Sequence, residues 1–62
     1  MTFGEKVKYV RNALLLTQAQ MAKRMSVTEN TVRKWEKDKS SPHSSSIRTL
    51  NNICKNEKII FP

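Results

Sequence analysis

Glycine is almost absent from this chain: Gly4 is the one glycine among 62 residues. No glycine-rich loop is therefore available to cradle a nucleotide phosphate. The lone cysteine, Cys54, cannot close an internal disulfide, which fits a reducing cytoplasm. One histidine, one cysteine and five scattered acidic residues supply no metal-ligand cluster and no nucleophile–base pair at a recognisable spacing. No catalytic residue, no metal and no cofactor is expected, and the chain does not read as an enzyme. No apolar run approaches the ~18 residues of a membrane span. Met1-Thr2-Phe3-Gly4-Glu5 lacks the basic-then-apolar layout of a signal peptide. These absences describe a soluble, cytoplasmic protein without a membrane partner.

Positive charge is what the chain has in excess. Twelve Lys and Arg against five Asp and Glu give a formal net charge of +7. A small basic domain attracts phosphate backbones through its long-range field and through counterion release. The hydrophobic fraction, 37%, allows one small helical core and no second domain. A dimer interface could supply stability that such a monomer lacks.

Apolar spacing divides the chain into helices. Phe3, Val7, Val10 and Leu14 form one stripe, predicting a first helix over residues 2–15. Thr17 and Gln20 are spaced as a capping box for a second helix, with Leu16 and Met21 at the positions of a hydrophobic staple. That helix ends near Met25. Ser26 and Val27 form a turn, and Thr28 is the next cap, with Val27 and Val32 as a second staple. A third helix is expected over residues 29–37, followed by a loop over residues 38–43 marked by Ser and Pro. Ser44, Ser45 and Ser46 offer alternative caps for a fourth helix with Ile47, Leu50, Ile53 and Cys54 facing inward. Its asparagines predict an end by Lys55. Residues 57–62 read as an extended arm or a brief strand. The domain reading is thus residues 1–55 as the helical body and 56–62 as an arm.

Residues 16–35, LTQAQMAKRMSVTENTVRKW, combine two capped helices with a turn of helix-turn-helix length. Two short helices crossing steeply need a small residue at the crossing, and Ala22 is placed for it. Met21, Met25, Val27, Val32 and Trp35 pack around it, leaving the first turn of the third helix free to enter a DNA groove. By chemistry, Asn30 suits adenine, Lys34 suits guanine O6 or N7, and Glu29 could accept from cytosine N4. Glu29 equally suits the positive end of its own helix. Arg33 and Lys37 are placed to reach phosphates. Lys39 and Ser41, with Ser40 and His43, lie in a loop suited to the DNA backbone.

With these residues in place, the chain resembles the phage-repressor, Cro-like helix-turn-helix family, also called the xenobiotic-response-element family of bacterial regulators. The resemblance rests on Leu16-Thr17-Gln18, Met21-Ala22, Val27-Thr28, Thr31-Val32 and Trp35-Glu36, then Pro42, Ile47 and Leu50. It covers about residues 3–54 and implies an all-α, lambda-repressor-like bundle of four to five short helices. It further implies phosphate contacts from Gln18 and the neighbouring Thr17, and base contacts from Thr28, Glu29, Asn30 and Lys34. Glu36 would pair with Arg11 to tie the first helix to the recognition helix. Two positions depart from the family pattern. Ser26 and Asp38 stand where glycine is usual, so a left-handed backbone is expected at Ser26 at a cost of ~1–2 kcal/mol.

The resulting expectation is a regulator of transcription whose partner is double-stranded DNA. A Cro-type repressor on a palindromic operator, acting by excluding polymerase and needing no small-molecule ligand, is the leading reading. Ile59, Ile60 and Phe61 either close the core or contact a second copy in a homodimer completed on DNA. Two rivals stand beside it: the same fold as a protein-interaction module, such as an antitoxin or antirepressor, and a nonspecific coater of nucleic acid.

Overall fold

A computed structural model describes all 62 residues as four helices and no strand. They are α1 (Phe3–Ala13), α2 (Gln18–Met25), α3 (Glu29–Glu36) and α4 (Ser44–Glu57). Three of the four begin on a threonine whose hydroxyl accepts the amide three residues on: Thr2 from Glu5, Thr17 from Gln20, and Thr28 from Thr31. At Thr2 and Thr17 the bond is reciprocated by Glu5 and Gln20, completing two capping boxes. The Thr2 amide donates to Glu5 at 2.7 Å, and its hydrogen bonds hold the Glu5 carboxyl below the usual glutamate range.

Every helix stops in the same way, and none of the stops uses glycine. Leu15, Ser26, Asp38 and Lys58 all adopt left-handed φ, between 55° and 58°. After α2, Ser26 N–H donates to the Lys23 carbonyl and Val27 N–H to Ala22. After α3, Asp38 N–H donates to Trp35 and Lys39 N–H to Lys34. These paired bonds satisfy carbonyls that the helix end leaves without partners. The left-handed Ser26 agrees with the expectation drawn from the missing glycine, and Asp38 closes α3 in the same conformation.

The core gathers Val7 and Val10 from α1, Met21, Ala22 and Met25 from α2, Val32 and Trp35 from α3, and Leu50, Ile53 and Cys54 from α4. Burial pushes the Cys54 thiol up, so it stays protonated and serves as a small apolar residue. Gly4 is buried where α1 meets the end of α3: a Cβ there would lie 1.7 Å from the Trp35 carbonyl oxygen. The Phe3 ring meets Trp35 edge-on beside it, centroids 5.1 Å apart. Ala22 is buried, as its place at the α2–α3 crossing requires, and Gly4 supplies a second close approach, of α1 to the end of α3.

Several expectations need correction. The first helix ends at Ala13, because Leu14 and Leu15 form its closing turn. The third ends at Glu36, with Lys37 as its cap. The fourth runs two residues past Lys55: Glu57 is held by Arg24 at 3.0 Å, and Ile59 N–H bonds the Cys54 carbonyl. The local Ile59–Cys54 bond and left-handed Lys58 close the helix there, despite the poor helix propensity of its asparagines. Its cap is His43, without a side-chain bond; Ser44, Ser45 and Ser46 already lie inside the first turn. Ile47 faces solvent, because the inward stripe passes through Ser46, Leu50 and Ile53 instead. The tail forms no strand. Ile59 and Phe61 pack on the core, and the Phe61 ring sits between Tyr9, at 5.6 Å, and the Lys6 ammonium, at 5.5 Å. Ile60 alone of the three points outward, 85% exposed, so Ile59 and Phe61 serve their own chain first.

Candidate nucleic-acid interface

Helix α3 is two-faced in a way its sequence dictates. Val32 and Trp35, three residues apart, are buried. Thr28, Glu29, Asn30, Arg33, Lys34 and Lys37 all stand exposed around the rest of its circumference. Its first turn exposes Thr28, Glu29 and Asn30 to solvent. The Thr28 hydroxyl caps that turn and lies 2.9 Å from the Thr31 hydroxyl. Glu29 pairs with Arg33 one turn on at 3.2 Å, so the base-contact and phosphate-contact candidates hold each other in the free protein.

Lys34 projects into a groove between α3 and the loop that follows it. Thr31, Trp35, Ser40, Ser41, His43 and Ser46 form the remaining walls with Val27. Ser41 therefore shares one concavity with Lys34, and His43, the cap of α4, also lines it. Lys39 is exposed on the outer edge of the same loop and lines a shallower depression with Phe3, Gly4 and Asp38.

Thr17 and Gln18 open α2. The exposed Thr17 caps the helix, whereas Gln18 is half-buried and reaches across to α3. Gln18 Nε2 donates to Glu36 Oε1 at 3.3 Å. Glu36 also receives a two-pronged bond from Arg11, Nε to Oε2 at 2.8 Å and Nη2 to Oε1 at 3.1 Å. Arg11 Nη1 donates in addition to the Leu16 carbonyl at 3.2 Å. One carboxylate thus ties α1, the α1–α2 turn, the start of α2 and the end of α3. The pair is largely sheltered from water, with side-chain exposures of 16% and 7%. A fork-to-fork geometry of this kind fixes orientation as well as charge.

Two features of the interface escaped the sequence reading. Thr31 was placed only as part of the motif, yet it faces the groove and bonds Thr28. The link from Gln18 to Glu36 joins residues 18 apart, a separation at which no local pattern signals contact.

Comparison with known proteins agrees with this geometry. A helix-turn-helix family model matches residues 7–58. The chain is similar to the HTH-type transcriptional regulator DicA of Escherichia coli (strain K12), 30% identical over 98% of this chain and 47% of DicA. It is also similar to the HTH-type transcriptional activator BcrR of Enterococcus faecalis, 33% identical over 86% of this chain and 26% of BcrR. The chain thus spans about half the length of one relative and about a quarter of the other. No solved structure matches significantly. With its all-α, lambda-repressor-like fold and a family match across most of its length, the chain belongs to the Cro/C1-type helix-turn-helix family of transcription regulators.

Proposed function

We propose that this protein binds double-stranded DNA sequence-specifically, with α3 in the major groove, and regulates transcription as a Cro-type repressor. The observation that carries the reading is the division of α3: one face buried, and an exposed first turn of polar side chains on a body of net charge +7. Thr28, Glu29, Asn30 and Lys34 are assigned to base edges. Thr17, Gln18, Arg33, Lys37, Lys39 and Ser41 are assigned to phosphates flanking the groove. Glu29 and Arg33 exchange their mutual bond for DNA partners on binding.

One recognition helix reads only a few base pairs. The protein therefore acts as a homodimer on a palindromic operator with half-sites about 34 Å apart. Of the arm residues assigned to the dimer contact, Ile60 is the exposed one; Ile59 and Phe61 support it from the core. Repression is steric, with no small-molecule ligand, metal or cofactor, in the cytoplasm of a bacterial cell. The name of BcrR favours a second reading of the sign, in which the same DNA contact serves activation.

Selection from a random duplex library tests the proposal. It is expected to return a two-fold-symmetric motif with half-sites one turn apart, and binding that weakens steeply with salt. Lys39→Ala should lower affinity alike for all sequences and flatten the salt slope by about one. Equal affinity for every duplex would reduce the protein to a nonspecific coater, and no affinity for any would favour a protein-binding module.

A further inference from the structure

The two threonines at the head of α3 form a coupled hydrogen-bonding unit. Their hydroxyl oxygens are 2.9 Å apart, and Thr28 Oγ1 also accepts the Thr31 backbone N–H at 3.2 Å. A threonine hydroxyl carries one proton and two lone pairs. One of the two hydroxyls must donate to the other, and one lone pair of Thr28 is already committed to the Thr31 amide. Two arrangements remain. If Thr31 donates inward, both lone pairs of Thr28 are filled and Thr28 faces outward only as a donor. If Thr28 donates inward, it faces outward only as an acceptor, and Thr31 holds the free proton.

The surroundings of Thr31 select between them. Thr31 is half-buried and lines the groove that also holds Lys34, Ser41, His43 and Ser46. The hydroxyl and imidazole donors that line it, from Ser41, Ser46 and His43, suit a phosphate diester oxygen, which accepts and never donates. A phosphate in this groove draws the Thr31 proton toward itself. The Thr28 proton then turns inward to Thr31, and Thr28 is left as an acceptor.

We propose that Thr31 is a specificity-determining positioning residue: by donating to a DNA phosphate in the groove behind α3, it makes Thr28 an acceptor that selects a base offering an amino group. Adenine N6 and cytosine N4 are such groups; guanine and thymine present only acceptors in the major groove. The inference rests on the DNA-binding reading above and adds a rule for one base position. It also couples that choice to a backbone contact, so that base discrimination at Thr28 depends on a side chain that touches no base.

Random-duplex selection on four proteins tests this, with helicity measured first to establish that each is folded. Thr28→Gly removes the hydroxyl while glycine retains most of the capping preference; the position whose preference it abolishes is the one Thr28 faces. At that position the wild type and Thr31→Ser should enrich adenine or cytosine. Thr31→Val, of nearly the same shape, leaves Thr28 free to donate as well as accept and should relax the preference about threefold to tenfold, the worth of one hydrogen bond. The rest of the motif should be unchanged. Wild-type preference retained in Thr31→Val overturns the inference, as does a Thr28→Gly protein with an unaltered motif. An even loss of affinity across all sequences in Thr31→Val also overturns it, reducing Thr31 to a phosphate contact. A wild type that enriches no motif instead overturns the DNA-binding reading itself.

Discussion

At the scale of single residues, the use of glycine is inverted. Four helix ends adopt left-handed backbone on Leu15, Ser26, Asp38 and Lys58, while the lone glycine sits inside α1. The conformation of Gly4 is ordinary; what it supplies is the missing Cβ that lets α1 lie against the Trp35 carbonyl. Gly4→Ala is therefore expected to force the two helices apart and to cost about 3 kcal/mol, the upper range for overpacking. A urea titration that finds Gly4→Ala as stable as the wild type would remove this account. Leu15 is the opposite case: left-handed and 90% exposed, it carries backbone strain with no burial to offset it. Leu15→Gly should stabilise by about 1 kcal/mol, net of the added freedom of the unfolded chain. In a domain of this size the gain appears as a rise of about 4–8 °C in Tm. An unchanged or lower Tm would show that the strain is absorbed elsewhere.

At the scale of elements, helix starts were legible in the sequence and helix ends less so. The Thr17–Gln20 and Thr28 caps are local patterns, because a cap and its amide lie within one turn. The end of α4 carries no such signal: it closes on a left-handed Lys58, a residue with no special preference for that backbone. Helix α1 also carries a pH dependence. The Glu5 carboxyl, lowered by its bonds to Thr2, closes the capping box more strongly when ionised. Its folded-state pKa lies below the unfolded one, so its contribution is present above the usual glutamate range and is lost as pH falls through the lowered value. Circular dichroism through mild acid should show α1 fraying in the wild type, and Glu5→Gln should flatten that part of the profile. Identical acid profiles for the two proteins would assign the transition to another carboxylate.

At the scale of the whole molecule, Glu36 is the tie. It holds Arg11 of α1 and Gln18 of α2 from the end of α3, so one carboxylate adds a polar tie to the packing that seats α3. Glu36→Ala leaves the Arg11 guanidinium largely enclosed, with the Leu16 carbonyl as its remaining partner. The expected loss is about 2–3 kcal/mol, below that for a fully buried pair because water still reaches Arg11. It should be nearly insensitive to salt, unlike that of an exposed pair. A chemical-denaturation midpoint within error of the wild type would show that the helices are oriented by packing alone. The family-type pairing of Arg11 with Glu36 could be named in advance by resemblance. Its third member, Gln18, could not, because the expectation had that side chain facing a phosphate.

Local sequence was enough for the four helices, the threonine caps of α2 and α3, the left-handed turn at Ser26 and the division of α3 into buried and exposed faces. Each depends on residues within a turn or two of one another, where the 3.6-residue period and capping chemistry suffice. Tertiary structure alone decided that Gly4 meets Trp35, that Ile47 turns outward, and that Ile59 and Phe61 fold back onto the core. It also brought Thr31 and Lys34 into one groove with Ser41, His43 and Ser46. Those outcomes depend on how helices rotate and approach one another. That is set by shape and packing summed over the whole core, which no local pattern carries.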